Sequence, residues 1–134
     1  MTGGVSARLL RFAVALGGVV PVGAGLVGVL LGPAMVEGTG EGIAADSHYR
    51  YLSGLLLGIG LGFWSTIPAI EARTARFRLL TSLVVLGGLG RLLGVPLTGE
   101  PPPPMLAALG MELLVTPLLC AWQGRVARHA AGRG

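Results

Sequence analysis

Two charged residues stand inside otherwise apolar runs and are the first candidates for chemistry. Arg91 lies in the run over residues 79–97, and Glu112 lies in the run over residues 105–122. A charge inside a membrane-spanning helix costs at least ~2.5–3.5 kcal/mol, so it normally faces other helices and finds a partner. At ~1.5 Å per residue, both lie about 9–10 Å from the same end of two consecutive helices, so we expect an ion pair. Such a pair either clamps the two helices together or forms the polar floor of an outward-facing pocket.

A second polar group occurs in the six residues from Asp46 to Tyr51. Asp46 or Ser47 is suited to cap the N-terminus of the helix that follows. Asp46 and Arg50 are four residues apart, a spacing that places opposite charges on one helical face. His48 between them is either a hydrogen-bonded interface residue or, beside a carboxylate, a proton shuttle.

Both groups are predicted near the same side of the membrane, which gives one candidate ligand-binding site. Its residues are Asp46, His48, Arg50, Arg91 and Glu112. Paired arginines suit the phosphate or carboxylate of a headgroup, and a histidine beside carboxylates suits proton transfer. The residue types leave both chemistries open. The single cysteine, Cys120, cannot build a zinc site from thiolates, and we expect no metal and no cofactor.

Four apolar runs must position these residues. They cover residues 12–31, 51–70, 79–97 and 105–122. About 20 residues are enough to cross a hydrocarbon core of about 30 Å as a helix. We therefore predict an all-α polytopic membrane protein, an up-down four-helix transmembrane bundle that forms a single domain over residues 1–134. The first run is longer than the ~7–15 apolar residues of a cleaved signal peptide, which favours a retained span.

The composition agrees with a membrane protein. The chain is 52% hydrophobic and 12% charged, and its mean hydropathy is +0.76. Soluble domains carry about 25% charged residues, so a water-soluble enzyme, a nucleic-acid-binding protein and a disordered tail are all disfavoured. The net charge of +4 comes from arginines, most of which stand between the apolar runs.

The distribution of the arginines predicts the orientation. Eight of the ten fall on one side of a four-span chain: Arg8, Arg11, Arg73, Arg76, Arg78, Arg125, Arg128 and Arg133. Arg50 lies on the other side and Arg91 lies inside a span. Because arginines are enriched on the cytoplasmic side, we predict that both termini are cytoplasmic.

Small residues predict where the helices pack. Gly54, Gly58 and Gly62 recur every four residues in the second run, a spacing that lets two backbones approach. We expect this stripe to pack against another helix of the same chain, and homodimerisation through the stripe is the alternative. Pro21 and Pro117 lie inside spans, and each is expected to kink its helix.

Several segments together resemble a known family. They are the run from Asp46 to Gly54 followed by Gly58-Ile59-Gly60, the segment Gly87-Gly88-Leu89-Gly90-Arg91, Pro101–Pro104, Glu112, and Trp122-Gln123. The chain from about Leu10 to Arg125 is similar to the small bacterial membrane proteins of domain-of-unknown-function family 4345, which more distantly resemble the DoxX-like group. The resemblance implies a four-helix membrane fold in a bacterial inner membrane and no particular activity.

These observations lead to a ranked functional hypothesis. We expect a protein that is not an enzyme and that binds a lipid, another hydrophobic small molecule or a membrane partner through the outward-facing polar site. Membrane lipids are the expected partners, no nucleic acid is expected, and a homo-oligomer is compatible with the sequence. The first alternative is a membrane-embedded enzyme that acts on a lipid-like or quinone-like substrate through His48 with Asp46 or Glu112. A small ion-coupled transporter ranks third.

Overall fold

The computed structural model describes residues 2–35 and 42–133, and helices dominate both ranges. Within them the α-helices are α1 (Thr2–Leu31), α2 (Ile43–Trp64), α3 (Thr74–Thr98), α4 (Pro103–Gly110) and α5 (Thr116–Ala131). A π-helical segment, Met111–Val115, joins α4 directly to α5. Short 3-10 helices, Gly32–Met35 and Ile67–Ala69, follow α1 and α2.

Four helical stretches of the described chain are long and apolar enough to cross a membrane. They cover Gly3–Ala34, Ile43–Ala69, Thr74–Thr98 and Pro103–Ala131. The predicted all-α fold with four spans is therefore confirmed, and the chain is a multi-pass membrane protein. Most of these stretches extend beyond the predicted apolar runs. Helices can continue past the apolar part because long charged side chains at their ends reach the polar interface.

The described residues form two compact units. Residues 12–67 form the α1–α2 unit. Residues up to 11, together with those from 68 onward, form the α3–α5 unit, which also holds the first turns of α1. The single domain over residues 1–134 stays a prediction.

Within the α1–α2 unit, the two helices run antiparallel and in close contact. The indole nitrogen of Trp64, at the end of α2, donates a hydrogen bond to the carbonyl of Ala15 (3.1 Å). Further along, a Cβ added at Gly25 would lie 2.6 Å from the backbone nitrogen of Leu57. The backbones approach this closely only because position 25 has no side chain.

The glycines of the predicted stripe do not make this contact. A Cβ at Gly54 would lie 3.8 Å from Cγ2 of Val29, which is ordinary packing. A Cβ at Gly58 would meet no heavy atom within 4 Å in the described part of the chain. Gly62 is half-buried. The prediction that this stripe packs unusually closely against another helix of the chain is therefore wrong at Gly58, and dimerisation through the stripe stays a prediction.

Helical geometry explains the difference. The buried positions of α2 are Ser53 and Gly60, and a Cβ at Gly60 would lie 2.7 Å from Cγ2 of Val22. Residues four apart drift by about 40° around a helix at each step, whereas residues seven apart return to within about 20° of the same direction. The contact face therefore follows the seven-residue spacing from Ser53 to Gly60 and not the four-residue spacing of the stripe.

In the α3–α5 unit, α3 runs antiparallel to the fourth span. The first residue of α3, Thr74, accepts a hydrogen bond from Gln123 in α5 (2.9 Å). Near the other end of α3, Arg91 contacts Glu112 in the π-helical segment. The fully buried large side chains of this unit are Leu10, Ile70, Phe77 and Gln123. The best-packed part of the unit therefore lies near the first turns of α1 and α3.

At Pro117, where a kink is predicted, the helix has a wider turn. Proline has no N–H to donate to the carbonyl of Leu113, four residues earlier. The N–H of Thr116 instead donates to the carbonyl of Met111, five residues back, and the Thr116 hydroxyl donates to the same oxygen (2.7 Å). Pro117 thus ends a π-helical turn. Helix α1 continues through Pro21.

Candidate functional site

Arg91 and Glu112 meet as a two-bond ion pair. Nε of Arg91 donates to Oε2 of Glu112 (3.2 Å), and Nη2 donates to Oε1 (3.1 Å). The Arg91 side chain is 42% exposed and that of Glu112 is 20% exposed. The two residues stand at matched levels of two antiparallel helices, as their positions in the sequence predict.

The π-helical segment and a glycine on α3 bring the carboxylate to the guanidinium. A Cβ added at Gly88 would lie 2.9 Å from Cβ of Glu112 and 2.8 Å from Cδ2 of Leu113. The backbone of α3 therefore lies directly against the segment that carries Glu112. Arg91 follows Gly88 by three residues, which places it on nearly the same face of α3.

The guanidinium of Arg91 is only partly engaged. It carries five N–H donors, and Glu112 accepts two of them; Nη1 has no hydrogen-bond partner among the described residues. The side chains of Leu92, Leu93 and Leu114 nearby are exposed. Three donors of one cation are therefore available in otherwise apolar surroundings.

Asp46 and Arg50 also form an ion pair, but Arg50 makes further bonds within the chain. Nε of Arg50 donates to Oδ2 of Asp46 (2.8 Å), and Nη2 donates to Oδ1 (3.2 Å). Nη1 donates to the carbonyls of Val29 (2.7 Å) and Leu30 (3.1 Å) at the end of α1. Gly32, with φ +66°, then turns the chain out of the helix, which is how many helices end.

Arg50 is therefore a cap for the C-terminus of α1. The last carbonyls of a helix lack partners inside it, and a cation there also complements the helix dipole. Four of the five donors of Arg50 are engaged, and Asp46 uses both carboxylate oxygens on Arg50. This pair fixes the end of α1 against α2, and it leaves little capacity for a ligand.

The N-cap predicted at Asp46 or Ser47 is wrong. Helix α2 begins at Ile43, and its N-cap is Gly42. The N–H of Asp46 already donates to the carbonyl of Gly42 (3.0 Å), so Asp46 lies inside the helix. The helix starts earlier because Ala44 and Ala45, which precede Asp46, have high helix propensity.

His48 is exposed and has no hydrogen bond among the described residues. The five candidate residues form two ion pairs plus this histidine, with Asp46 and Arg50 in the α1–α2 unit and Arg91 and Glu112 in the α3–α5 unit. Their convergence into one site stays a prediction. The described residues contain no group of three or more His, Cys, Asp or Glu that could hold a metal ion.

A third polar group, which we call the polar knot, contains none of the predicted site residues. Its residues are Ser6, Arg11, Glu71, Thr74, Trp122 and Gln123. The indole nitrogen of Trp122 donates to the Ser6 hydroxyl (2.9 Å). Arg11 Nη2 donates to both carboxylate oxygens of Glu71, at 3.1 and 3.0 Å. These bonds tie the first turns of α1 to α5 and to the connection before α3.

Gln123 is the buried centre of the polar knot. Its side-chain nitrogen donates to the carbonyl of Ile70 (2.8 Å) and to the hydroxyl of Thr74 (2.9 Å), and the residue is 0% exposed. Its Oε1, like Nε of Arg11, is buried without a hydrogen-bond partner among the described residues. Trp122-Gln123 was visible in the sequence only as part of the family resemblance.

The ionisation of Glu71 is tied to this arrangement. A hydrogen bond from its own backbone N–H, followed by the hydrogen bond and the charge of Arg11, lowers the pKa of the Glu71 carboxyl below its ordinary value. The folded chain therefore favours the ionised carboxylate at this position.

The comparison with protein families agrees with the sequence resemblance. The model of the family described as "Domain of unknown function (DUF4345)" matches residues 9–123. The chain belongs to this family. The matched region includes the three ion pairs described above and ends at Gln123, so the DUF4345 domain contains nearly all of the described helical structure. No curated protein and no solved structure matches the chain. The distant likeness to the DoxX-like group stays a prediction.

Proposed function

We propose that this DUF4345 protein is not an enzyme and that it binds the polar head of a lipid or of another hydrophobic small molecule at Arg91. The observation that carries the proposal is the partly engaged guanidinium. Arg91 lies in a candidate span and is 42% exposed, and three of its donors have no partner in the described chain.

The chemistry of the cation indicates the class of ligand. A guanidinium presents planar paired donors that match the oxygens of a phosphate or carboxylate. A charge at this depth is costly unless its donors are satisfied. The surrounding leucines are exposed and suit acyl chains. An amphiphile with an anionic or oxygen-rich head and an apolar tail would satisfy both the guanidinium and the leucines.

The enzymatic alternative, in which His48 acts with Asp46 or Glu112, has less support. The carboxylate oxygens of Asp46 and Glu112 each accept a hydrogen bond from an arginine. Both carboxylates are therefore already occupied by their ion pairs, and His48 has no hydrogen bond to either of them among the described residues. A membrane partner remains the second kind of occupant for the same exposed surface.

We also propose that the protein lies in a bacterial inner membrane with both termini in the cytoplasm. The location rests on the family resemblance, and the orientation rests on the excess of eight arginines to one on the two sides of the four-span chain. Reporter fusions after Leu31 and after Leu97 are expected to behave as periplasmic, and fusions after Ile70 and at the C-terminus as cytoplasmic. A periplasmic C-terminus would contradict this orientation.

Native mass spectrometry of gently purified protein tests the binding proposal. A co-purifying amphiphile is expected on the unmutated chain, with strong loss in Arg91→Gln. His48→Gln is the matched control, because it changes an exposed polar residue of the original site and is expected to keep the adduct. An adduct that survives Arg91→Gln but disappears in His48→Gln would refute binding at Arg91 and favour the enzymatic alternative.

A further inference from the structure

The polar knot brings together the segments that carry most of the positive charge of the chain. We call the eight arginines of these segments the arginine end: Arg8, Arg11, Arg73, Arg76, Arg78, Arg125, Arg128 and Arg133. All lie in the α3–α5 unit. The acidic residue among these segments is Glu71, and Arg11 already binds it. We propose that the arginine end is a second binding site, which takes the phosphate of an anionic phospholipid headgroup.

Three arginines are placed to act together. Arg8 on α1, Arg73 immediately before α3 and Arg125 on α5 each lie within two residues of a polar-knot residue. The hydrogen bonds of the polar knot hold these three segments side by side. All three side chains are exposed. Their positions are therefore fixed by a buried core while their guanidinium groups remain accessible.

The surface around these arginines identifies the partner as a lipid. Two leucines that directly follow arginines are themselves exposed, at 55% for Leu9 and 62% for Leu79. A soluble anionic protein or a nucleic acid would supply phosphates or carboxylates but no cover for these apolar groups. A phospholipid supplies a phosphate and acyl chains in the order in which arginines and leucines follow one another along the helices.

This site is distinct from the one proposed at Arg91. Arg73 and Arg91 are 18 residues apart, which corresponds to about 27 Å along α3 and is close to the thickness of a hydrocarbon core. The two sites therefore lie toward opposite faces of the membrane. The Arg91 site offers one partly engaged cation, whereas the arginine end offers several cations held on three segments.

The test compares phosphatidylglycerol with phosphatidylcholine of the same acyl chains. Protein purified in detergent is incubated with an equal mixture of the two lipids, and retained lipid is counted by native mass spectrometry. The unmutated chain is expected to retain phosphatidylglycerol preferentially. The triple variant Arg8→Gln, Arg73→Gln, Arg125→Gln is expected to retain at least about fivefold less phosphatidylglycerol. A single arginine near an anionic headgroup already increases the binding affinity about fivefold.

Two controls keep the result specific. Glu100→Gln changes one exposed charge outside the arginine end and is expected to leave the phosphatidylglycerol preference unchanged. Arg91→Gln, which removes the amphiphile proposed above, still carries the whole arginine end, so the triple variant is expected to lose more of the phosphatidylglycerol preference than Arg91→Gln does, and the two proposals fail separately. Equal retention of the two lipids by the unmutated chain, a measurement that needs no variant, would overturn the inference. Loss of the preference in Arg91→Gln with retention in the triple variant would also overturn it.

Discussion

Replacing Arg91 by leucine is expected to destabilise the protein more than replacing Glu112 by leucine, and the double replacement is expected to recover much of the loss. Breaking a buried ion pair costs about 3–5 kcal/mol, whereas an exposed pair contributes about 0–1 kcal/mol. The two side chains are 42% and 20% exposed, so the pair lies between these limits. Without Arg91, the more buried Glu112 keeps a carboxylate with no cation beside it, and we expect a loss of about 2 kcal/mol.

The opposite replacement is expected to cost less. Without Glu112, the more exposed Arg91 can extend its long side chain toward the polar interface, so we expect a loss of about 1 kcal/mol. Replacing both residues by leucine leaves no unpaired charge and can be nearly neutral. The double-mutant cycle is therefore expected to give a coupling of at least ~1 kcal/mol.

Reversible unfolding of the four proteins in mixed micelles, followed by circular dichroism, measures this cycle. Additive losses would show that the two side chains do not interact, and equal single losses would refute the argument from unequal exposure. The double variant also separates the two roles of the pair. If the pair only clamps the helices, the variant keeps the bound amphiphile, and if Arg91 binds the ligand, the variant folds without it.

Three further predictions follow from the packing and the polar knot. Gly25→Ala is expected to destabilise the protein by about 1–3 kcal/mol through overpacking. Gly58→Ala, whose added methyl group meets open space, is expected to be neutral or to stabilise the protein by up to about 1 kcal/mol. Thermal unfolding of these two matched variants checks both expectations. Gln123→Met is expected to cost about 1–3 kcal/mol, because it leaves a buried carbonyl without its donor, and the same unfolding assay measures it. The lowered pKa of Glu71 adds stability above the ordinary value of 4.5, and that stability is lost as the pH falls through the lower folded value. Melting curves from pH 7 to pH 3 are expected to show this loss in the unmutated chain and a smaller loss in Glu71→Gln.

The features that were predicted correctly depend on residue counts along the chain. The four spans follow from run lengths, and the meeting of Arg91 with Glu112 follows from equal counts to the ends of two consecutive helices. The pair of Asp46 with Arg50 follows from the four-residue spacing alone. None of these requires knowledge of how helices are rotated about their axes.

The features that were not predicted depend on rotation and on contacts between distant segments. Gly25 and Gly60 allow close approach because of the register of α1 against α2, and a four-residue stripe does not reveal that register. The π-helical turn depends on how the chain accommodates Pro117, which could equally have bent the helix. The bond between Ser6 and Trp122 joins residues 116 positions apart, and no local pattern reports it.

The contrast between Arg50 and Arg91 shows why residue type alone does not identify a binding site. Each arginine forms a two-bond pair with a carboxylate, so the two are alike in the sequence analysis. Arg50, however, faces the end of α1, where the last carbonyls lack partners inside the helix and accept its remaining donors. Arg91 faces the carboxylate of Glu112, and none of its remaining donors bonds to a backbone carbonyl of the described residues. Arg50 therefore stabilises the fold because a helix end lies beside it, whereas Arg91 keeps unbonded donors that a ligand can use.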